Sequence, residues 1–184
     1  MVAPFLVPAY AAAALGLWLV ARPYGNPRWK LAATGGVLSA GLALLTDQAI
    51  TGLWERPRPY AAHPAATHLL AAASSDPSFP SDHAAAAFAI AVAVLAFSRW
   101  AGAAFLAAAS FIAASRVALG LHYPSDVVVG ALIGALSAVL VVQGGGPWLG
   151  RLVVLGSRFS DPALLRARQA LERRRTRGDR ARSA

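Results

Sequence analysis

The stretch "PSDHAAAAFAIAVAVLAF", residues 80–97, decides the fold. Three polar residues, Ser81, Asp82 and His83, stand directly before a run of small and apolar residues that contains no charge. A continuous apolar run of this length, without strand-like alternation, predicts a buried or membrane-embedded helix. Polar groups are costly at the entrance to a membrane and often mark a functional site. The stretch therefore predicts a helix whose first turn carries chemistry.

The composition of the whole chain indicates a membrane protein. Of its 184 residues, 57% are hydrophobic and only 14% are charged, whereas a soluble domain carries about 25% charge. Apolar runs near the length that a membrane-spanning helix needs lie at 4–21, 31–54, 81–97, 101–119 and 125–142. We expect an all-α, polytopic membrane helix bundle of about five transmembrane helices in residues 1–146, followed by an amphipathic and Arg-rich tail in residues 147–184.

The basic residues divide unequally between the two membrane faces that this topology predicts. Fourteen of the 17 fall on one face: Arg22, Arg28, Lys30, Arg99 and ten arginines of the tail. Because Lys and Arg favour the cytoplasmic side, we expect an extracytoplasmic N-terminus and a cytoplasmic tail in the cell membrane. The tail is expected to bind anionic lipid headgroups in preference to nucleic acid.

The other three basic residues, Arg56, Arg58 and Arg116, fall on the outer face within polar clusters. These clusters are "WERPRPY" at 54–60, "FPSDH" at 79–83 and "SRVALGLHYPSD" at 115–126. Arg56 and Arg58 each precede a proline, which favours an extended backbone, and guanidinium groups suit bidentate binding of phosphate oxygens. Ser81 is a natural N-cap, and free N–H groups at a helix start attract anions.

The third cluster brings a histidine and a carboxylate together. Gly120 can end one helix and Pro124 can begin the next, which places His122 just before the helix and Asp126 near its third position. The carboxylate could hold the imidazole in one tautomer. The pair fits equally well with Asp126 acting only as a helix cap and His122 lying only at an interface.

A metal site is the chemical alternative, since His83, His122 and Asp126 are all possible ligands. Three nearby arginines, however, would repel a cation and attract an anion. We therefore expect phosphoryl chemistry without a metal or another cofactor. The chain has no cysteine, which excludes a thiolate nucleophile.

Taken together, the three clusters resemble the signature of the type 2 phosphatidic acid phosphatase (PAP2) family, which shares its site with vanadium haloperoxidases. The family pattern is KxxxxxxRP, then PSGH, then SRxxxxxHxxxD. The third motif matches in full at 115–126, the second appears as PSDH at 80–83, and Arg58 and Pro59 represent the first. The likeness covers about residues 47–142 and implies a PAP2/haloperoxidase-like helical core.

Two positions depart from the family pattern. Thr51 stands where the family has a phosphate-binding lysine, a charge that Arg56 could replace. Asp82 stands where the family has glycine, and its carboxylate would repel phosphate unless it turns away or pairs with an arginine. The form "SFPSDHA" is similar to bacitracin-resistance-type undecaprenyl diphosphate phosphatases.

The resemblance implies a mechanism in which His122 attacks phosphorus, Asp126 orients its ring, and His83 protonates the leaving oxygen and then activates water. The groups expected to hold the phosphoryl oxygens are Arg58, Arg116, Ser81, Ser115, Arg56 and Asp82. The expected substrate is an undecaprenyl or decaprenyl diphosphate, hydrolysed to the monophosphate.

Other functions stay open at this point. The lipid could be phosphatidylglycerol phosphate, phosphatidic acid or a polyprenyl-phosphoryl sugar phosphate, or the protein could bind a lipid phosphate without catalysis. A channel or transporter is disfavoured because the polar residues gather at one surface and no duplicated halves are present. His63 and His68 are expected to be exposed loop residues, and the sequence does not indicate an oligomeric state.

Overall fold

The protein is all-helical in the computed structural model, which describes residues 3–21, 23–67 and 69–182; Arg22 and His68 lie outside them. No strand occurs among the described residues. The helices are α1 (Ala3–Val20), α2 (Arg28–Thr51), α3 (Pro59–Ala62), α4 (Asp82–Phe97), α5 (Arg99–Ala118), α6 (Pro124–Val139) and α7 (Gly146–Arg182), with a π-helical turn (Leu140–Gly144) between α6 and α7.

All five predicted apolar segments form helices, which correspond to α1, α2, α4, α5 and α6. By length and composition, three of the described helices could each cross a membrane: Arg28–Thr51, Arg99–Ala118 and Pro124–Gly144. The apolar stretch of α1 that is described, Tyr10–Val20, and α4 are shorter. The helical membrane bundle is therefore supported, and the count of five spans stays a prediction.

Helix α4 lies at the centre and packs against α2, α5 and α6. After Asp82 and His83, the residues of α4 are apolar on every side, as expected of a helix surrounded by other helices. Six alanines of α4 are fully buried, and these small side chains let the neighbouring helices approach closely. The helix that carries the polar triplet is thus held from several directions.

Two glycines let α6 touch the backbone of α4. A β-carbon at Gly130 would lie 2.4 Å from the carbonyl oxygen of Ser81, and one at Gly134 would lie 2.2 Å from that of Ala85. Any larger residue would therefore force the helices apart, as in other small-xxx-small contacts between membrane helices. This close approach brings the start of α6 against the start of α4.

The turn between α5 and α6 agrees with the sequence prediction. Gly120 has a φ of 73°, a left-handed conformation that glycine adopts without strain, and it follows the end of α5. Pro124 is the first residue of α6. His122 consequently lies in the short connection between two packed helices.

Helix α7 docks against the opposite end of the bundle. Leu149, Val153 and Asp161 on α7 are buried, and Asp161 forms an ion pair with the buried Lys30 of α2. The indole Nε1 of Trp18 donates to Ser160 Oγ at 3.1 Å. The described part of the predicted tail thus includes a helix that contacts the bundle, and the division of the chain at residue 146 stays a prediction.

Candidate active site

The three polar clusters meet at one end of the bundle, as the alternating topology predicts. The Ser78 N–H donates to the carbonyl of Arg56 at 2.8 Å, and the Ser81 N–H donates to the carbonyl of Asp126 at 3.1 Å. Arg58 Nη1 donates to the carbonyl of Leu121 at 3.2 Å. These bonds join segments far apart in sequence, so the site is assembled by the packing of α2, α4, α5 and α6.

His122 is the most enclosed of the site's described histidines, with 2% of its surface exposed. Its Nδ1 lies 2.7 Å from the carbonyl oxygen of Ser78, which can only accept, so Nδ1 carries the proton and donates it. Its Nε2 is therefore the unprotonated nitrogen, and it lies 3.3 Å from Nη1 of Arg58. Because a guanidinium group can only donate, the electron pair of Nε2 accepts this hydrogen bond from Arg58.

The pKa of His122 is lowered from 6.5 to about 4, and the largest cause is burial, because the charged imidazolium would lose its hydration. The positive charges of Arg58 and Arg116 lower it further, while the bond to the Ser78 carbonyl and the charge of Asp82 oppose the shift. At neutral pH the ring is therefore neutral. A neutral imidazole is the form that can act as a nucleophile.

Asp126 contacts other partners than the one predicted for it. Its carboxylate accepts from Ser78 Oγ at 2.6 Å, from the Tyr123 N–H at 2.9 Å and from Arg56 Nη1 at 2.7 Å. The nearest carboxylate oxygen is 3.9 Å from Nδ1 of His122, beyond hydrogen-bond distance. The expectation that Asp126 itself fixes the tautomer is therefore corrected: the Ser78 carbonyl does so, and Asp126 holds Ser78 in place.

Sequence reasoning missed Ser78. It lies in the irregular segment before α4, where neither helical nor strand periodicity indicates which way a side chain points. Both its backbone carbonyl and its hydroxyl are used, one by His122 and one by Asp126. The available signal was only its position close to the PSDH motif.

The two arginines of the first cluster have different surroundings. Arg58 has an extended backbone with ψ of 153°, as the following proline predicts, and it is buried. Its Nε donates to the carbonyl of Asp76 at 2.8 Å, which fixes the guanidinium next to His122. Arg56 instead lies 3.9 Å over the ring of Tyr123 and pairs with Asp126. Its charge is thus already engaged by a carboxylate.

Arg116 and Ser81 are buried at the same end of the bundle, and each has a polar atom without a partner. Among the described residues, Arg116 Nε and Ser81 Oγ accept or donate no hydrogen bond. Ser81 is the N-cap residue of α4 as predicted, although its hydroxyl makes no capping bond. Unsatisfied buried donors are costly, and donors of this kind are well suited to a phosphoryl oxygen.

Two further motif positions donate their hydroxyls to backbone carbonyls, and His63 lies in a loop. Ser115 donates its hydroxyl to the Ile112 carbonyl of its own helix at 2.6 Å. Thr51, at the family's lysine position, donates to the Phe79 carbonyl at 3.3 Å. His63 is exposed in the loop after α3, as expected. The structure thus turns the Ser115 and Thr51 hydroxyls toward backbone carbonyls.

Asp82 contacts a histidine, which differs from the phosphate-holding role expected for it. Its Oδ1 lies 2.7 Å from Nδ1 of His83 and 2.8 Å from the backbone nitrogen of the same residue. The carboxylate thereby finds a cationic or donor partner inside its own helix turn. Repulsion of a phosphate by Asp82, which the sequence raised as a difficulty, is reduced by this pairing.

An open cleft of about 370 Å³ lies beside this arrangement and is lined in part by Arg56, Arg58, Tyr60 and Ser75. His122 is not among its lining residues. Within the part of the chain that the structure describes, no three His, Asp or Glu side chains cluster so that they could hold a metal ion. The arrangement is an imidazole nucleophile beside guanidinium groups, which is chemistry for an anionic electrophile.

Comparison with known proteins identifies the family. The model of the PAP2 superfamily matches residues 32–147. The chain belongs to the PAP2 superfamily. The matched region includes all three clusters and every residue predicted for the site.

Individual relatives are similar over part of the chain. Undecaprenyl-diphosphatase BcrC of Bacillus subtilis (strain 168) is 33% identical over 132 residues, which cover 72% of this chain and 65% of that protein. Decaprenylphosphoryl-5-phosphoribose phosphatase of Mycobacterium tuberculosis (strain ATCC 25618 / H37Rv) is 35% identical over 131 residues, 71% of this chain and 68% of that protein. The bacitracin transport permease protein BcrC of Bacillus licheniformis is 44% identical over 66 residues, 36% of this chain and 32% of that protein.

The alignments thus span about two thirds of the first two of these relatives and about one third of the Bacillus licheniformis protein. No solved structure matches the chain significantly. The family assignment rests on sequence, and the geometry of the site rests on the present structure.

Proposed function

We propose that the protein is an integral-membrane lipid phosphatase that hydrolyses a polyprenyl diphosphate to the monophosphate through a phosphohistidine intermediate. The observation that carries the proposal is the state of His122. This imidazole is buried and neutral, its Nδ1 donates to a carbonyl, and its Nε2 lies 3.3 Å from the Arg58 guanidinium. In the proposed reaction, Arg58 donates to a phosphoryl oxygen instead, and the electron pair of Nε2 attacks phosphorus.

In the first step, Nε2 of His122 forms a bond to phosphorus as the bond from phosphorus to the leaving oxygen breaks. The leaving oxygen keeps that electron pair and takes a proton from His83. Arg58, Arg116 and the N–H groups at the start of α4 stabilise the charge on the three remaining phosphoryl oxygens. Asp126 acts on the reaction through Ser78, whose carbonyl holds the ring of His122.

In the second step, water transfers a proton to His83 and attacks phosphorus as the phosphorus–nitrogen bond breaks. Inorganic phosphate leaves, and both histidines return to their starting states. The same ring therefore serves as general acid and then as general base. No step requires a metal, although His83, His122 and Asp126 are possible ligands, and a chelator tests that alternative.

The proposed substrate follows from the location of the site and from the relatives. The site lies at the end of a bundle of apolar helices, where a lipid headgroup can reach it while the tail stays in the membrane. Two relatives are named for polyprenyl substrates, one a diphosphate and one a phosphoribose ester. A polyprenyl-phosphoryl sugar phosphate is thus the second candidate, followed by phosphatidylglycerol phosphate and phosphatidic acid.

The proposed location is the cell membrane, crossed by α1, α2, α4, α5 and α6, with the site on the extracytoplasmic face. The asymmetry of basic residues supports this orientation, because Arg28, Lys30 and Arg99 lie at the end of the bundle opposite the site. The basic tail would then contact anionic headgroups on the cytoplasmic side. Reaction of an introduced single cysteine in the 61–67 loop with an impermeant thiol reagent on intact cells would test the orientation.

The decisive experiment measures phosphate release by the purified protein from undecaprenyl diphosphate and from the three alternative lipids, with and without a chelator. We expect release from the diphosphate that persists in chelator and falls at least about 1,000-fold in His122→Ala. His63→Ala, which changes an exposed histidine in a loop, is the matched control and should retain activity.

Three other results would favour a different conclusion. Loss of activity in chelator would favour a metal site. Binding of the lipids without phosphate release from any of them would favour a lipid-phosphate binder. Full activity in a correctly folded His122→Ala variant would contradict the assigned nucleophile.

A further inference from the structure

Asp82 and His83 are the first two residues of α4, and their side chains are hydrogen-bonded to each other. Oδ1 of Asp82 lies 2.7 Å from Nδ1 of His83. The same oxygen accepts the backbone N–H of His83 at 2.8 Å, which fixes the carboxylate on its own helix turn. The contact is partly accessible, because 47% of the Asp82 side chain and 26% of the His83 side chain are exposed.

This contact determines which nitrogen of His83 is available. A carboxylate accepts hydrogen bonds and donates none when ionised, so Nδ1 must carry the proton that joins the two groups. Acid–base chemistry is then left to Nε2, which points away from the carboxylate by the geometry of the ring. A histidine oriented in this way can give a proton from Nε2 and later receive one there.

We propose that Asp82 is a positioning residue that orients His83. The proposal rests on the proposed phosphatase function for its consequence in catalysis. In the leaving-group step, the carboxylate stabilises the cationic form of the ring while Nε2 faces the oxygen that departs. In the hydrolytic step, Nε2 has already given its proton to the leaving oxygen, and the carboxylate holds the other proton on Nδ1 so that Nε2 is aimed at water.

The two aspartates of the site therefore serve different histidines by different routes. Asp126 reaches His122 only through Ser78, whose carbonyl is the direct acceptor. Asp82 contacts His83 directly. Glycine at position 82, as in the family pattern, could make no such contact, so this chain carries an orienting group that the general signature does not require.

The kinetic test compares two leaving groups, 4-nitrophenyl phosphate and phenyl phosphate, in the full-length protein in micelles. A leaving group that needs protonation depends on a general acid, and a good leaving group does not. We expect Asp82→Gly to lower kcat/KM, which excludes the hydrolytic step that both substrates share, by about 10- to 100-fold for phenyl phosphate and by less than about 3-fold for 4-nitrophenyl phosphate. KM should change little, and Asp82→Glu should recover part of the loss.

The matched control is Glu172→Gln, which removes an exposed carboxylate of α7, away from this cleft. It should leave both substrates unaffected. An equal loss for the two substrates in Asp82→Gly, or a rise in KM alone, would overturn the positioning role and favour an effect on phosphate binding.

A second measurement does not depend on activity. Nitrogen NMR of ¹⁵N-histidine-labelled protein, with the His83 signals assigned by comparison with His83→Gln, reports which ring nitrogen is protonated. We expect a protonated, hydrogen-bonded Nδ1 in the parent protein and a different tautomer balance in Asp82→Gly. Identical His83 spectra in the two proteins would overturn the inference, whereas absence of phosphate release from the parent protein would contradict only the proposed function.

Discussion

Two buried aspartates, at opposite ends of the bundle, have similar partners and different surroundings. Asp126 accepts from a backbone N–H, a serine hydroxyl and Arg56. Asp161 of α7 accepts from the Tyr24 N–H and from Lys30. We call Arg56, Arg58, Ser78, Arg116, His122 and Asp126 the candidate-site cluster, and Tyr24, Lys30, Ser157 and Asp161 the α7 cluster.

The two clusters differ in whether their cationic side chains have a full set of hydrogen-bond and ion-pair partners. In the α7 cluster, Lys30 is satisfied by Asp161 and by the Ser157 hydroxyl at 2.9 Å. In the candidate-site cluster, Arg58 and Arg116 form no ion pair among the described residues, and Arg116 Nε has no hydrogen-bond acceptor. A buried cation that lacks some of its partners can bind an anion. An ion pair whose hydrogen bonds are complete holds two helices together.

The pKa of Asp161 reflects this balance. Burial by itself would raise the pKa of the carboxyl, but the hydrogen bonds from Lys30 and the Tyr24 N–H and the charge of Lys30 outweigh it and hold the pKa below its usual range. The carboxylate is thus ionised across the physiological range. Its contribution to stability is present above the unfolded-state pKa and is lost as the pH falls through the folded-state pKa.

The largest expected effect on stability comes from the α7 cluster. Lys30→Ala leaves the Asp161 carboxylate buried without its cation, and we expect the free energy of unfolding to fall by about 3–5 kcal/mol. Denaturant unfolding in detergent micelles measures this. The double variant Lys30→Met with Asp161→Leu is the matched control, because it removes both charges and should recover most of the loss. A decrease in the free energy of unfolding below about 1 kcal/mol in Lys30→Ala would contradict the stabilising role that distinguishes the α7 cluster.

In the candidate-site cluster, removal of a cationic side chain should lower activity and not stability. Arg116→Ala removes a charge-assisted contact to the phosphoryl group, worth about 1.5–3 kcal/mol, so kcat/KM should fall by roughly 10- to 150-fold. The melting temperature should change little. Arg99→Ala, which changes an exposed arginine at the other end of the same helix, should leave kcat/KM unaltered. Equal activity of these two variants would contradict the proposed role of Arg116.

The smallest expected effect is the change in stability with pH that comes from the titration of His122. Because its pKa is lowered to about 4 from 6.5, the unfolded state binds more protons between these values. The stability contributed by the neutral ring is therefore complete above about pH 6.5 and is lost as the pH falls toward 4. Hydrogen–deuterium exchange at the imidazole carbon, followed by mass spectrometry, gives the pKa residue by residue. A midpoint near 6.5 for His122 in the folded protein, equal to that in denaturant, would contradict its burial.

Much of the site could be predicted from the sequence because its signals are local. Hydropathy runs predicted the helices, glycine and proline predicted the turn before α6, and the alternating topology placed Arg58, Ser81 and His122 at one end. These inferences use only backbone preferences and the need to bury apolar side chains. They do not depend on distances between segments.

The hydrogen-bond partners required the tertiary structure. The sequence predicted that Asp126 would hold His122, and the structure places the Ser78 carbonyl there instead. It predicted that Asp82 would face phosphate, and the carboxylate contacts His83. Ser78 lies in a segment without regular secondary structure, where neither periodicity nor propensity defines a direction for the side chain.

The sequence by itself determined the all-helical membrane character, the family and the set of residues that gather at one end of the bundle. Only the tertiary structure decided which of these groups are bonded to each other and which are left for a ligand. The physical reason is the range of the interactions: helix formation and burial depend on neighbours along the chain. A hydrogen bond, in contrast, is made or lost within about 1 Å, a distance set by how α4 and α6 pack at Gly130 and Gly134.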